Sequence, residues 1–413
     1  MTDLASNRTD VEVSHSRPLV TLMRRISNFF QPPAPEERLN EAWNDPITDD
    51  ADGNFRLYFQ NIHGLPRDMV SLGQDLSFMQ HFDVSCFCFA ETNLNWHRPH
   101  VKMDFLTQQR TIWKGLGGAK SALSSIDLDS TSDFQTGGTA TSAVGAWCTR
   151  VLATETDPSG MGRWSCLTFI GRQNRRISVV TGFRCVRSLG DNSVWTQEKV
   201  FLRAKLDKAN PHPRRQFIED LTHFLKLKRT QGHDLIVSLD ANETFGTEST
   251  GMSKLIHDCG LYDLLDIPNA DASTQLQDTY RRGTNRRIDF ILGTEHALHS
   301  VRRRGALAYN NGIVSDHRGL FVDFDPTILF GGPVADPVSL SSRGFTSKNA
   351  KKVEKYSDAL ETYWIDHRIA DRIARLTDDA PSLSRTVLRQ RYDAIDRDVT
   401  RGTVGVPVDG VVR

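Results

Sequence analysis

Residues that could bind a phosphate, a metal ion or a water molecule recur where strand-like apolar runs of this sequence end. Residues 233–244, HDLIVSLDANET, show the pattern most clearly, because the largely apolar residues 235–239 lead directly into Asp240 and Asn242. Side chains alternate along an extended segment, so these two point the same way and could reach one phosphate or one water together. An ordinary Asp/Asn turn after a strand has the same sequence, so this stretch alone does not decide between the two.

Four other strand-like runs end in, or contain, polar residues of the same kind. FRLYFQNIHG carries Asn61 near its end, and FDVSCFCFAETNL closes on Glu91. RIDFIL contains Asp289, and GIVSDHRGLFVDF sets Asp316 beside His317 between apolar pairs. A buried charge needs a partner, and this last segment supplies one for Asp289. The sites together predict an active site along the edge of a sheet.

Helical and strand-like segments alternate between these sites. MVSLGQDLSFMQ predicts a covering helix, a second helix is predicted before Gly232, and a third over about 252–259. Residues 135–152 and 162–186 predict hairpin strands punctuated by Gly and Asn. Residues 114–132 are rich in Gly, Ser and Ala, which predicts a mobile surface loop. They lack the Gly-Lys-Thr/Ser ending of a P-loop, which disfavours nucleotide binding there.

Composition divides the chain into a folded middle and two different ends. Residues 1–50 are polar and contain QPPAPEE, which predicts a flexible leader, and the globular domain is predicted over 54–325. Residues 326–347 predict a linker, 348–400 a charged helical appendage and 401–413 a frayed tail. The appendage could be a partner surface, a connector to a missing downstream domain or a plain solvated hairpin.

Charge and cysteine content exclude several classes of protein. Among 413 residues, Lys+Arg and Asp+Glu both number 51, so any electrostatic partner must be met by a local patch. The 6 cysteines form no CxxC pair and lie mostly in apolar runs, which suits buried thiols in a reducing compartment. No apolar run is long enough to span a bilayer, and no signal peptide is evident.

The strings QNIHG, AETN, SLDANE, RIDFIL and SDHR, in this order, resemble the endonuclease/exonuclease/phosphatase superfamily of deoxyribonuclease I-like enzymes. The resemblance covers about residues 54–325. It implies an α/β fold, a four-layer sandwich in which two mixed β-sheets pack face to face with helices outside. It also implies hydrolysis of a phosphoester with a divalent metal, usually Mg²⁺, with Mn²⁺ as the alternative.

The resemblance assigns a role to each catalytic candidate. Asp240 matches the family's water-activating residue, and Asn242 matches the amide that binds the scissile phosphate. His317 would donate to a phosphoryl oxygen as an imidazolium, and Asp289 would orient its ring and favour the charged form. The metal ligands that the resemblance implies are Glu91 as first choice, Asp316 as second carboxylate, and Asn61, which would hold the metal or a phosphate oxygen.

Two positions depart from the family pattern. Many members place a tyrosine after the middle strand to contact phosphate, whereas TGFRC has Phe183 there, for which Arg184 could compensate. Apurinic endonucleases commonly carry an acid two positions after the asparagine, whereas this chain has His63. A specific abasic-site activity is therefore not implied.

A basic cluster beside Asp289 favours a nucleic acid, DNA above RNA, as the substrate. Arginines there could hold backbone phosphates that flank the cut, although a solvated loop has the same composition. The cluster consists of Arg281, Arg282, Arg286 and Arg287. Phosphatases and phosphodiesterases of the same superfamily that act on lipid headgroups or small phosphoesters are the alternative enzyme class.

The order of domains is similar to the amino-terminal part of open reading frames from non-LTR retrotransposons, in which an endonuclease domain precedes a reverse transcriptase. This similarity raises a further hypothesis, a non-catalytic nucleic-acid-binding remnant, which the intact set of polar sites disfavours. Localisation stays open, and a nuclear site inside the cell would suit a retroelement nuclease.

Overall fold

A computed structural model describes residues 41–128, 130–206, 209–268, 270–271, 274–282, 286–332 and 350–405 of the chain. The chain divides into two compact units between residues 337 and 338. All the candidate site residues lie in the larger unit. None of the helices in the described part combines the length and the apolar character that crossing a bilayer requires.

The first sheet of the larger unit is mixed and has seven strands. Its strands are β1 (Trp43–Asn44), β2 (Phe55–Asn61), β3 (Cys86–Ala90), β4 (Ala119–Ser124), β5 (Thr139–Val144), β12 (Val301–Ala306) and β13 (Leu320–Phe324). They lie in the order β1-β12-β13-β2-β3-β5-β4. β2 and β3 run parallel, and the other neighbours are antiparallel.

The second sheet is also mixed and has six strands. Its strands are β6 (Val151–Thr156), β7 (Trp164–Ile170), β8 (Arg176–Phe183), β9 (His233–Asp240), β10 (Tyr262–Asp263) and β11 (Asp289–Gly293). They lie in the order β10-β11-β9-β8-β7-β6, and only β8 and β9 run parallel within the described sheet.

Alternation along the central strands builds the layers. Phe55, Leu57 and Phe59 of β2 pack in the apolar core between the two sheets, together with Ile236 of β9. Tyr58 alternates with these residues along β2 and therefore faces outwards, where it packs in a second core on the outer face of the first sheet. Leu235, Val237 and Leu239 contribute to a third core on the outer face of the second sheet.

Helices cover the outer faces of both sheets. The described α-helices of the larger unit, of which α6 and α7 contact the central core, are α1 (Met69–His81), α2 (Pro99–Ile112), α3 (Val194–Leu206), α4 (Pro213–Thr230), α5 (Met252–Cys259), α6 (Glu295–His299) and α7 (Pro326–Phe330). Residues of α1 and α2 complete the second core, and residues of α4 and α5 complete the third. The predicted fold class, two mixed sheets face to face with helices outside, is confirmed.

Local structure differs from the sequence-based expectation in three places. Strand β4 lies inside residues 114–132, where a surface loop is predicted, because pairing with β5 makes a strand of small residues that have little intrinsic preference for one. Within the predicted leader, Trp43–Asn44 pairs with β12. Within the predicted linker, α7 buries Leu329 and Phe330 against the central core. Residues 1–40 and 333–349 lie outside the described residues.

The smaller unit is helical, as the sequence predicts. Its described helices are α8 (Ala350–Asp366), α9 (Ile369–Asp379) and α10 (Arg385–Gly405), the last of which continues into the predicted tail. Ile369 and Ile395 are its buried apolar residues among those described, and Arg372 forms an ion pair with Asp398 at 2.7 Å. Residues 406–413 lie outside the described part.

Candidate active site

Strand ends from both sheets bring the candidate residues together. Asn61 ends β2 beside Ala90, the last residue of the parallel strand β3, and Glu91 follows directly. In the second sheet, Asp240 ends β9 opposite Asp289, the first residue of β11. The Asn61 amide joins the two sheets, because its Nδ2 donates to Glu91 Oε2 at 3.0 Å and to Asp240 Oδ2 at 2.7 Å.

Asn242 reaches Asp240 through a turn, not through the strand alternation that the sequence suggests. The Asn242 backbone N–H donates to Asp240 Oδ1 at 2.9 Å, and its side-chain Nδ2 donates to Asp240 Oδ2 at 3.1 Å. Asn242 has a left-handed φ of 48°, which asparagine tolerates better than most residues. Burial, together with the charge of Asp289, raises the pKa of Asp240 to about 7, against the opposing effects of His317 and Asn61.

His317 and Asp289 form a buried pair beside Asp240. His317 Nδ1 lies 2.8 Å from Asp289 Oδ2. Burial of the ring lowers the pKa of His317, but the charge and hydrogen bond of Asp289 outweigh this and raise the pKa to about 10. The imidazolium is therefore the stable form at neutral pH. Ligand atoms of Asp240, Asp289 and His317 all lie within 4.8 Å of one another, so this group could also hold a metal ion.

Polar residues that the sequence reasoning missed hold this pair in place. Thr279 Oγ1 accepts the backbone N–H of Asp289 at 3.1 Å, and Gln60 Nε2 donates to the backbone carbonyl of His317 at 2.9 Å. The Tyr280 ring lies 4.8 Å from the His317 ring between centroids. Phe183 ends β8 beside Asp240 and has no hydroxyl group. Tyr280, which comes from a different segment, supplies a phenol ring at this site. Thr279 and Tyr280 lie outside the strand-like runs, so no periodic pattern identifies them.

Glu91 lies at the rim of the same cluster. Its carboxylate, which is 23% exposed, accepts from Asn61, and its Oε1 lies 3.3 Å from His63 Nδ1. Burial would raise the pKa of Glu91, but the hydrogen bond and charge of His63 and the Asn61 amide lower it. Glu91 has a left-handed φ of 52°, an uncommon conformation for this residue type that recurs at functional sites.

Asp316 faces the Arg282 guanidinium. Its Oδ2 lies 2.8 Å from Arg282 Nε, whereas Oδ1 is buried without a hydrogen-bond partner among the described residues. A buried carboxylate oxygen normally has a donor or a metal ion beside it. The unpartnered Oδ1 of Asp316 is thus the kind of oxygen ligand that a hard divalent cation prefers.

The predicted substrate-binding arginines occupy different environments. Arg184 is buried and its guanidinium contacts Glu243 and Glu248, the latter at 2.6 Å, so it supports the turn behind Asn242. Arg287 forms ion pairs with Asp263 and Asp266. The other three contact different partners: Arg281 lies over the Tyr309 ring, Arg282 beside Asp316, and Arg286 over the Tyr280 ring.

An open groove of about 400 Å³ has Asn242 among its lining residues. Three of its lining side chains are exposed bases, Arg187, His212 and Arg286. Its buried base, Arg214, is paired with Glu248. Glu248 also lines the groove but is paired with Arg184 and Arg214, so the remaining exposed charged side chains, Arg187 and Arg286, are basic.

Solved structures with a similar fold include AP endonuclease LMAP from Leishmania major, 13% identical over 73% of this chain and 98% of that one, with a TM-score of 0.48. The 3' phosphatase NExo from Neisseria, bound to a product DNA hairpin, is 14% identical over 66% of this chain and 99% of its own, with a TM-score of 0.45. The human Nocturnin catalytic domain with bound sulfate is 16% identical over 69% of this chain and 97% of its own, with a TM-score of 0.44. No protein-family model and no curated protein sequence matches the chain. The two mixed sheets packed face to face, observed in the chain itself, give it the fold that its resemblance to the endonuclease/exonuclease/phosphatase superfamily implies.

Proposed function

We propose that the chain is a metal-dependent phosphodiesterase, an endonuclease that hydrolyses DNA backbone phosphodiesters. The observation that carries this proposal is the placement of the Asp240 carboxylate between two amides, Asn61 and Asn242, beside the His317–Asp289 pair. The cluster therefore combines a general base for the attacking water, Asp240, with amide donors and the His317 imidazolium, which can stabilise charge on phosphoryl oxygens.

Each residue of the cluster has a part in this chemistry. Asp240 takes the proton of the attacking water, a task that suits a carboxylate with a pKa of about 7. The His317 imidazolium donates to a phosphoryl oxygen, on which negative charge builds. Asn242 Nδ2 donates to Asp240 and to the Arg184 carbonyl, so it would bind the phosphate by exchanging its bond to Asp240. Asp289 fixes the His317 ring and keeps it charged.

Glu91 and Asp316 would hold a divalent ion, with Asn61 beside them. The buried, unpartnered Oδ1 of Asp316 and the partly exposed carboxylate of Glu91 support this assignment. When bound, Mg²⁺ or Mn²⁺ supplies positive charge that stabilises the phosphoryl and leaving oxygens. The His63 and Asn61 contacts to Glu91 keep that carboxylate ionised and oriented meanwhile.

The basic groove favours a polymeric substrate. It is lined by Asn242, the proposed ligand of the scissile phosphate, and exposes Arg187, His212 and Arg286 to solvent. The positive side chains of Arg187 and Arg286, which line the same groove as Asn242, suit a neighbouring phosphate of a nucleic-acid backbone. A small phosphomonoester would leave these side chains without a ligand.

The test is incubation of the purified protein with supercoiled plasmid, with Mg²⁺, with Mn²⁺ or with a chelator. We expect metal-dependent nicking that is lost in Asp240→Asn and His317→Ala. The matched control is Asp234→Asn at the other end of β9, where the carboxylate accepts from Thr294 Oγ1 at 3.0 Å and pairs with Arg229, and this variant should not affect nicking. Release of phosphate from lipid headgroups without nicking would support the alternative phosphatase, and binding without turnover a non-catalytic remnant.

A further inference from the structure

We propose that the Tyr280 hydroxyl is a further catalytic group, a second hydrogen-bond donor to a phosphoryl oxygen beside His317. The inference rests on the proposed function and deepens it, because it names one more residue that would contact the reacting phosphate of the same site. Tyr280 belongs to a short segment, residues 279–282, that runs antiparallel beside residues 316–318. This pairing brings the phenol to the catalytic cluster from outside the strands that carry the other candidates.

Backbone hydrogen bonds hold Tyr280 against the catalytic pair. Tyr280 and His317 form an antiparallel β-bridge, and the Arg318 N–H donates to the Thr279 carbonyl at 2.8 Å. Thr279 is fully buried, and its Oγ1 accepts the N–H of Asp289 at 3.1 Å. The position of Tyr280 is therefore tied to both members of the His317–Asp289 pair.

The Tyr280 ring contacts two basic side chains. Its centroid lies 4.8 Å from that of the His317 ring, at an interplanar angle of 51°, and the Arg286 guanidinium lies 5.9 Å from it. His317 Nδ1 is bound to Asp289, so Nε2 is the atom that can donate to a phosphoryl oxygen. Arg286 lines the same groove as Asn242. A ligand that reaches the Tyr280 ring thus meets an imidazolium and a guanidinium, which favours an anionic oxygen.

The Tyr280 hydroxyl has no hydrogen-bond partner within the part of the chain that the structure describes. The two buried tyrosines differ in this respect, because Tyr58 donates to Gln60 Oε1 at 2.6 Å and Tyr309 donates to Asp278 Oδ2 at 2.8 Å. Tyr280 is partly exposed, so a ligand can reach its hydroxyl. Burial raises the pKa of Tyr280 above the ordinary tyrosine value, so the phenol keeps its proton at neutral pH and can donate it.

A neutral O–H beside the imidazolium suits the charge that develops when water attacks phosphorus. Preorganised donors directed at that charge lower the barrier, and they act without reorganisation of solvent. The phenol could instead serve only to hold the His317 ring by packing against it. Packing needs the ring, whereas donation needs the hydroxyl. Tyr280→Phe separates the two roles, because it removes the oxygen atom and keeps the ring.

The first measurement is calorimetric titration of inorganic phosphate into the full-length protein in the presence of Mg²⁺. We expect Tyr280→Phe to weaken phosphate binding about tenfold or more, since a hydrogen bond to a charged group is lost. The kcat for plasmid nicking should fall about 10²-fold. Tyr262→Phe is the matched control and should change neither quantity. Tyr262 is 47% exposed and pairs with Gly293, at the other end of β11 from Asp289.

The pKa of His317, measured by proton NMR, distinguishes direct contact with phosphate from an effect exerted through the histidine. We expect the same pKa in the wild type and in Tyr280→Phe, because the ring that packs against His317 remains. Loss of nicking together with a lowered pKa of His317 would overturn direct contact. Phosphate affinity and kcat that both stay unchanged in Tyr280→Phe would overturn any role of the hydroxyl.

Sulfur substitution in the substrate identifies the oxygen that Tyr280 contacts. In a chromogenic nucleotide diester, sulfur can replace either nonbridging oxygen, and sulfur is a weak hydrogen-bond acceptor. The rate loss caused by Tyr280→Phe should be smaller for one of the two phosphorothioate diastereomers than for the oxygen diester. Equal losses on all three substrates would contradict the proposal. Failure of the nuclease hypothesis would appear separately, as phosphate binding that depends on Tyr280 without nicking by the wild type.

Discussion

Asp240 and Asp289 face each other across two antiparallel strands, one as the last residue of β9 and the other as the first residue of β11. Two buried carboxylates at this spacing repel each other, and each has a different compensating group. Asp240 accepts from two amides, and Asp289 binds the His317 imidazolium. The pair is thereby divided into one carboxylate that can take a proton near neutral pH and one that is hydrogen-bonded to the His317 ring.

Replacing Asp289 with Asn should test whether this carboxylate keeps the His317 ring charged. The His317 ring loses the charge that outweighs its burial, so its pKa should fall from about 10 towards or below the ordinary histidine value. Nuclease activity at neutral pH should drop about 10²-fold or more, because a neutral ring is a weaker donor to phosphoryl oxygens. Proton NMR of the His317 ring, assigned by comparison with His317→Gln, measures the pKa directly. An unshifted pKa in Asp289→Asn would contradict the role of Asp289.

The Glu198→Gln variant should be more stable than the wild type above neutral pH. Burial raises the pKa of Glu198 to about 7, and its Oε1 has no hydrogen-bond partner in the described structure. The folded state therefore holds a proton that the unfolded state releases between about pH 4.5 and 7, and wild-type stability declines as pH rises through this window.

Glutamine has no charge to bury, so the gain in unfolding free energy should reach about 3 kcal/mol at pH 8 and disappear below about pH 4.5. Denaturant unfolding at the two pH values measures it. Glu219→Gln, a half-exposed position on α4, is the control and should change stability little at either pH.

Much of the site could be predicted because its residues interrupt apolar strands. A polar side chain at the end of a buried strand tends to face the sheet edge, so Asn61, Glu91 and Asp240 could be predicted to meet. The strands that carry them belong to two different sheets, which alternation and order did not disclose. The structure places them in direct contact. Their individual roles, like the metal, stay predictions that the metal-dependent nicking measurement tests.

Tertiary contacts explain what the sequence did not disclose. The strand β4 consists of Ala, Lys, Ser and Leu, and only pairing with β5 makes it extended. Arg184 follows the end of β8, where an exposed cation near phosphate is a reasonable expectation. Whether it faces solvent or the interior depends on Glu243 and Glu248, which lie about 60 positions later in the chain and meet it only on folding.

Arg184→Ala should therefore destabilise the fold, and not only weaken substrate binding. The substitution leaves the buried Glu243 without its cation, which typically costs about 3 to 5 kcal/mol. Arg187→Ala, three positions later at an exposed site, should leave stability unchanged. Thermal or denaturant unfolding of the two variants in parallel checks this. Equal stability of both would show that Arg184 is available to a ligand after all.

The basic groove predicts a specific dependence of binding on salt. Arg187 and Arg286 are exposed in it, and each phosphate contact that a cation makes contributes about one unit to the slope of log affinity against log salt concentration. The double variant Arg187→Ala/Arg286→Ala should bind a DNA duplex more weakly and with a slope shallower by up to about two units. Hydrolysis of a small chromogenic phosphodiester, which cannot extend into the groove, should keep its wild-type rate.

Arg215→Ala, on the exposed face of α4, is the control and should change neither DNA binding nor hydrolysis of the small diester. If the double variant lost activity on the small diester as well, its arginines would act at the reacting phosphate and not on the flanking backbone, and an unchanged slope would place the DNA backbone elsewhere on the protein.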